Sequence, residues 1–305
     1  MKNRAGQLFL FVATFILLQA CRQPVKKVNS GDEFLKGTTQ FVADGSFSPI
    51  VDEELYVFKA FYKEAKPQVL YKTEAEAVKL LLSDSIRVAI LARNLKPDEL
   101  ELLRSRALPP EINMFAFDAV TLIVNQASAD TVTSVTEIKK MLNGQAKTNS
   151  AIVFDNPNSS ITRYLKEFSG NTTLQQKNIY ALKSNVEVIK YVSEHPNAIG
   201  FVSFTWLNDP DNYYAGLVHK VKIVGVRNEA YKDDPVTYFK PSQTTLALKE
   251  YPLTRALYII NATGRGGLGK GFASFLESER GQRIILRSGI LPDSIPPREI
   301  NIVKQ

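Results

Sequence analysis

Residues 39–63 read TQFVADGSFSPIVDEELYVFKAFYK, and this stretch decides the class of fold. Residues 39–43 alternate enough for a strand, and Asp44-Gly45-Ser46 breaks it. Pro49 then stands in the first turn of a helix over 50–63, whose apolar Leu55, Phe58, Ala60 and Tyr62 fit a buried face. Strand, tight loop, helix is the unit of a parallel sheet, because a parallel return needs a crossover. The unit recurs at once. Residues 69–71 repeat the strand, 73–82 the helix with Thr73 and Glu76 as a capping box, and 86–91 form a nearly continuous apolar strand.

Beyond it the pattern predicts helices over 97–106, 135–142, 158–168, 186–194, 272–277 and 281–288. Strands are expected at 151–154, 199–204, 221–226, 244–249 and 257–261, and a long apolar stretch over 111–125 is interrupted by Asp118. The class expected is α/β with mixed, mostly parallel sheets. The 305 residues are 44% hydrophobic and 23% charged, enough apolar material for sizeable cores and too much for disorder. Cysteine occurs once, at Cys21, which excludes an intrachain disulfide and a cysteine-rich metal site. His195 and His219 have no histidine at helical spacing, so no metal and no cofactor is expected. The net charge of +7 is spread along the chain with no basic block interleaved with aromatics, which argues against nucleic acid.

Residues 1–20 read as an export signal, with Lys2 and Arg4 before an apolar run over 8–18 that is too short to span a bilayer. The run ends in Leu18-Gln19-Ala20-Cys21, which resembles a bacterial lipoprotein signal in which the cysteine is lipidated. Residues 21–36 read as a polar tether. The expected location is the periplasm or cell envelope, with a lipid anchor in the membrane.

Two sets of residues could carry chemistry. Residues 264–271, GRGGLGKG, match both a dinucleotide pattern and the start of a phosphate loop. Gly271 stands where magnesium needs a hydroxyl, and too little chain follows for a nucleotide domain, so this run is read as a surface loop leading into a helix. The second set is dispersed: residues 44–49, 92–94, Asp118 and 158–163 are polar loops that each follow an apolar strand. In an open α/β sheet such loops converge on a crevice, where helix N-termini favour an anion. Ser46, Ser160 and Thr162 would add hydroxyls, and Arg93 or Arg163 a forked contact.

The ordered set G-S-F-S-P, A-R-N-L, F-A-F-D-A-V, N-S-S-I-T-R, N-A-I-G-F-V-S-F and Y-P-L-T-R resembles the phosphate-binding proteins that serve bacterial ABC importers, from about Phe41 to Pro292. The resemblance implies a two-lobed periplasmic binding protein type II fold with hinge strands, with residues 37–122 and 245–305 as one lobe and 123–244 as the other. It implies that Ser46 and the Phe47 amide hold phosphate from the first lobe, that Asp118 takes its proton, and that Ser160, Ile161, Thr162 and Arg163 grip it from the second. The chain departs from the family at Ala92, where a serine is usual, and at Ser159 and Ile161, where glycines are usual. One lost hydroxyl removes a donor worth about 1.5–3 kcal/mol against a charged group.

Asp118 has a physical reading of its own. A carboxylate facing an anion repels it unless a proton lies between them, which phosphate carries and sulfate does not. The alternative is that Asp118 pairs with a neighbouring arginine or caps a turn. The expected function is therefore capture of inorganic phosphate by a monomeric, non-enzymatic binding protein that serves an inner-membrane ABC permease. Alternatives are an envelope lipoprotein using the same fold for signalling or protein contact, a site for another oxyanion, and a phosphoester hydrolase with Ser46 or Ser160 as nucleophile.

Overall fold

The opening unit folds as strand, turn and helix in the computed structural model, which describes residues 33–146, 150–174 and 176–294. Strand β1 (Gly37–Asp44) ends where the Asp44 side chain accepts from the Ser46 amide, and a 3-10 turn (Gly45–Phe47) follows. Helix α1 (Ser48–Phe61) has Pro49 in its first turn, where a missing N–H leaves no bond unmade. Then come β2 (Ala65–Lys72), α2 (Glu74–Leu82) with both halves of the Thr73/Glu76 capping box formed, β3 (Val88–Leu91) and α3 (Pro97–Ser105). Strand β4 (Glu111–Asn125) is the longest, at 15 residues.

After it run β5 (Val132–Ser134), α4 (Val135–Leu142), β6 (Ala151–Phe154), α5 (Ser160–Ser169), β7 (Ile179–Ala181), α6 (Asn185–Glu194) and β8 (Ala198–Ser203). The short helices α7 (Thr205–Asn208) and α8 (Asn212–Val218) lead to β9 (Val221–Ile223), β10 (Gly225–Arg227) and β11 (Tyr238–Phe239). Helix α9 (Gln243–Ala247), β12 (Thr254–Asn261), α10 (Leu268–Glu277), α11 (Glu279–Arg287) and β13 (Leu291–Pro292) complete the described chain, which lies within one compact unit.

The main sheet has the strand order β2-β1-β3-β12-β4-β8-β6-β7. It is parallel on both flanks, where β1 pairs with β2 and β3 and where β6 pairs with β7 and β8. Through the middle it is antiparallel, because β12 and β8 run against β4. Strand β4 changes partner along its length: Glu111 to Ala119 lie beside β12 and Val120 to Val124 beside β8. Asp118 sits at that changeover. The architecture is the mixed α/β class the sequence predicts.

Two segments differ from expectation. Residues 244–247 lie in a helix and 248–249 in the turn after it, not in a strand, because Ser242 and Thr245 make a reciprocal cap that overrides the β preference of Thr244 and Thr245. Residues 221–226 break at Val224, whose amide donates to Leu122, so that β9 stays on β4 while β10 joins a separate small sheet with β5 and β11. The glycine run behaves as read, a loop opening into α10. There a Cβ on Gly269 would lie 2.6 Å from Val88, and one on Gly271 1.7 Å from the Phe34 carbonyl oxygen. These two glycines serve close packing.

The export signal and Cys21 lie outside the described residues, as does most of the tether; its end carries a Glu33–Lys36 bridge. Among the described residues no helix is long and apolar enough to cross a membrane.

Candidate functional site

The changeover in β4 is where the dispersed loops meet. Register places Arg255 of β12 opposite Asp118. Both are buried, and Arg255 donates from Nε and Nη2 to Asp118 Oδ2 at 2.9 and 2.8 Å. Ser203, at the end of β8, donates its hydroxyl to the same oxygen at 2.7 Å. Asp118 Oδ1 is buried and has no hydrogen-bond partner among the described residues. Buried carboxylate oxygens are normally satisfied, so an unpartnered one calls for a donor.

From this pair a chain of hydrogen bonds crosses to the other loops. Arg255 Nη1 donates to Ser160 Oγ at 2.6 Å, Ser160 Oγ lies 2.8 Å from Ser46 Oγ, and Ser46 Oγ donates to Asp44 Oδ2 at 3.0 Å. A hydroxyl carries one proton. Since that of Ser46 is given to Asp44, Ser160 must donate to Ser46, and every bond in the chain points from Arg255 towards Asp44. Ser160 opens α5, whose N-cap Ser159 accepts from the Thr162 amide at 3.2 Å, so the helix presents its positive end here. The Ser160 amide is directed at Asp44 Oδ2, 3.2 Å away.

Asp155, at the loop following β6, receives the Ser159 hydroxyl and, at 3.1 Å, the Asn185 amide. Burial pushes its carboxyl up to about 7 against the lowering effect of those bonds, and the charge of Asp44 adds to the rise. A polar cavity of about 320 Å³ opens beside Asp44 and Ser46 and reaches Asp155, Lys72 and Lys183. Among the described residues no group of three or more His, Cys, Asp or Glu is arranged to hold a metal ion.

Of the residues singled out in the sequence, the structure brings Ser46, Asp118 and Ser160 together. Phe47 lies beneath them, its buried ring 5.7 Å from the Arg255 guanidinium carbon. The Ile161 side chain is buried in the core behind α5. Thr162 turns inward, its hydroxyl donating to the Asn156 carbonyl at 2.9 Å. The two arginines expected at the anion are engaged elsewhere. Arg163 bonds Glu74 through Nε and Nη2, Glu167 through Nη1, and the Ala92 carbonyl at 3.1 Å. Arg93 forks onto Glu99 with both bonds at 2.7 Å. Buried carboxylates at Glu74 and Glu99 draw these guanidinium groups aside.

The sequence alone gives Arg255 no part in the site, and it places Asp44 in the candidate loop over 44–49 without a role of its own. Nor does it point to Trp206, whose Nε1 donates to the Ser46 carbonyl at 2.8 Å. Each of these becomes visible only when the register of β12 on β4 and the meeting of two loops are known.

A family model described as a PBP superfamily domain matches residues 29–280. Among solved structures, one described as a phosphate ABC transporter substrate-binding protein with bound phosphate, from Clostridium perfringens, superposes with a TM-score of 0.71 at 17% identity, covering 85% of this chain and 100% of its own. An ABC-type phosphate transport receptor from Vibrio cholerae gives 0.62 at 19% identity, over 83% of this chain and 99% of its own. PstS from Borrelia burgdorferi gives 0.52 at 19%, over 84% and 99%. No curated protein matches. At these identities the likeness carries the fold.

Proposed function

We propose, from the premise that this chain belongs to the PBP superfamily, that it captures inorganic phosphate at the β4 changeover and delivers it to an ABC importer. The observation that carries this reading is the pair of states within one carboxylate. Asp118 Oδ2 is fixed by Arg255 and Ser203, while Oδ1 is buried and has no partner among the described residues. A phosphate O–H can donate to that oxygen and sulfate cannot, so Asp118 would select by rejection. The similar Clostridium and Vibrio structures, described as phosphate-transport proteins, the first with bound phosphate, support the same ligand.

Ser46 and Ser160 hydroxyls touch at 2.8 Å, so a tetrahedral anion must part them. Ser46 belongs to residues 37–122, which with 245–305 form one lobe in this reading, and Ser160 to residues 123–244, the other. Parting the hydroxyls is then a hinge motion about β4 and its neighbours, and the closed form gains contacts from both sides. Micromolar capture needs about 8 kcal/mol net, within reach of a few charge-assisted bonds in a dry crevice. The work is binding without chemistry. In the same reading Cys21 carries the lipid, residues 21–36 form the tether, and the monomer works in the periplasm or cell envelope beside an inner-membrane permease.

Calorimetry of the purified protein against phosphate, sulfate and molybdate tests this. Phosphate is expected to bind in preference to sulfate, and Asp118→Asn to narrow that preference by about tenfold or more, since an amide donates where the carboxylate accepts. Absence of heat and of any thermal shift at millimolar phosphate would overturn the reading.

A further inference from the structure

We propose that Asp44 is a built-in competitor for the anion: its carboxylate occupies the place at the start of α5 that a bound oxyanion needs, and any ligand must displace it. The inference rests on the reading of the crevice as an oxyanion site, and concerns what sets its affinity.

The donors converge on Asp44. Its Oδ1 takes the Ser46 amide at 3.0 Å, a local turn of two residues that any aspartate in a loop could make. Its Oδ2 does something a local turn does not require. It takes the Ser46 hydroxyl and faces the Ser160 amide, donors from segments 114 residues apart in the chain. That Ser46 hydroxyl is the last link of the relay that runs from Arg255 through Ser160. The ion pairs of the neighbourhood go elsewhere, Arg255 to Asp118, Arg163 and Arg93 to Glu74, and Arg93 to Glu99. Asp44, 1% exposed, is thus held by one hydroxyl and two backbone amides, one of them at a helix end, the means by which proteins hold a phosphate or sulfate.

Every one of these donors would be better spent on a phosphate oxygen if Asp44 withdrew, and the ligand's charge would still face that of Asp44 at close range. The net binding energy is the difference between two anions competing for one set of donors. Asp44 and Asp118 then have separate tasks. Asp118 distinguishes ligands by their proton, whereas Asp44 opposes all oxyanions alike and lowers affinity without changing preference.

The test compares wild type with Asp44→Asn and Asp44→Ser by titration calorimetry with phosphate and with sulfate. Circular dichroism and thermal melts verify the fold, and serine preserves the local turn if asparagine does not. Asn can still accept the Ser46 amide, but its NH₂ would meet the Ser160 N–H and so release the donors. Both variants are expected to bind phosphate about tenfold tighter or more, with sulfate tightened by the same factor. Binding by the variants where wild type shows none would support Asp44 as the competitor at an oxyanion site while overturning phosphate capture by the wild-type protein. If wild type binds and both variants bind no better, the competitor role is overturned while phosphate capture stands. If neither wild type nor variant binds either anion, phosphate capture fails and the competitor role fails with it.

Discussion

Glu54 lies on the inner face of α1, fully buried, and neither of its carboxylate oxygens has a partner among the described residues. Burial pushes its carboxyl from the ordinary 4.5 up to about 9. Below pH 4.5 the group is protonated whether the chain is folded or not, and it costs nothing electrostatically. As pH rises from there towards 9 the unfolded chain ionises and the folded one does not, so stability falls across that window and levels off above it. Glu54→Gln, uncharged and of the same shape, should remove this slope. It should match wild type near pH 4 and exceed it at pH 8 by an amount on the order of a few kcal/mol, read from urea unfolding at the two values. Residues of this kind mark how far the sequence speaks at this scale. Ser46, Asp118 and Ser160 were legible because each interrupts or directly follows an apolar strand. Glu54 fits a helical face as well buried as exposed, and Arg255 gains its meaning only from lying opposite Asp118.

At the scale of elements, the start of α5 is the part on which the crevice most depends. Ser159 caps the Thr162 amide and donates to buried Asp155, which Asn185 holds from the other side. Ser159→Ala removes a cap and one partner of a buried carboxyl, and a loss of about 1–2 kcal/mol in chemical denaturation is expected. The strand-loop-helix units could be located from apolar period and capping residues, since those signals are local. Residues 244–249 misled for the same reason: two β-branched threonines suggest a strand, and the Ser242–Thr245 cap that turns them into a helix is a matter of side-chain geometry. The order β2-β1-β3-β12-β4, with a strand from the far end of the chain inserted at the centre, has no local signature.

Across the whole molecule, Arg163 acts as a clasp. It joins α5 to Glu74 at the start of α2 and to the Ala92 carbonyl after β3, and the Ala75 amide donates to the Asn158 carbonyl beside it. In the two-lobed reading these bonds exist only when the lobes are shut. Arg163→Met should weaken phosphate binding by about three- to tenfold while leaving the preference over sulfate unchanged, because it shifts the closed population and touches no ligand. Calorimetry with both anions checks this, and a loss of a hundredfold or an altered preference would place Arg163 on the ligand after all. One more long-range contact ties the start of the described chain to a helix near its end. The backbone of Phe34 is seated against Gly271 so closely that no side chain fits between them, three residues before β1 begins its run to Asp44. In the anchored reading, a pull from upstream would meet this contact with α10 before it reached β1, so the turn that holds Ser46 would be mechanically insulated from the anchor.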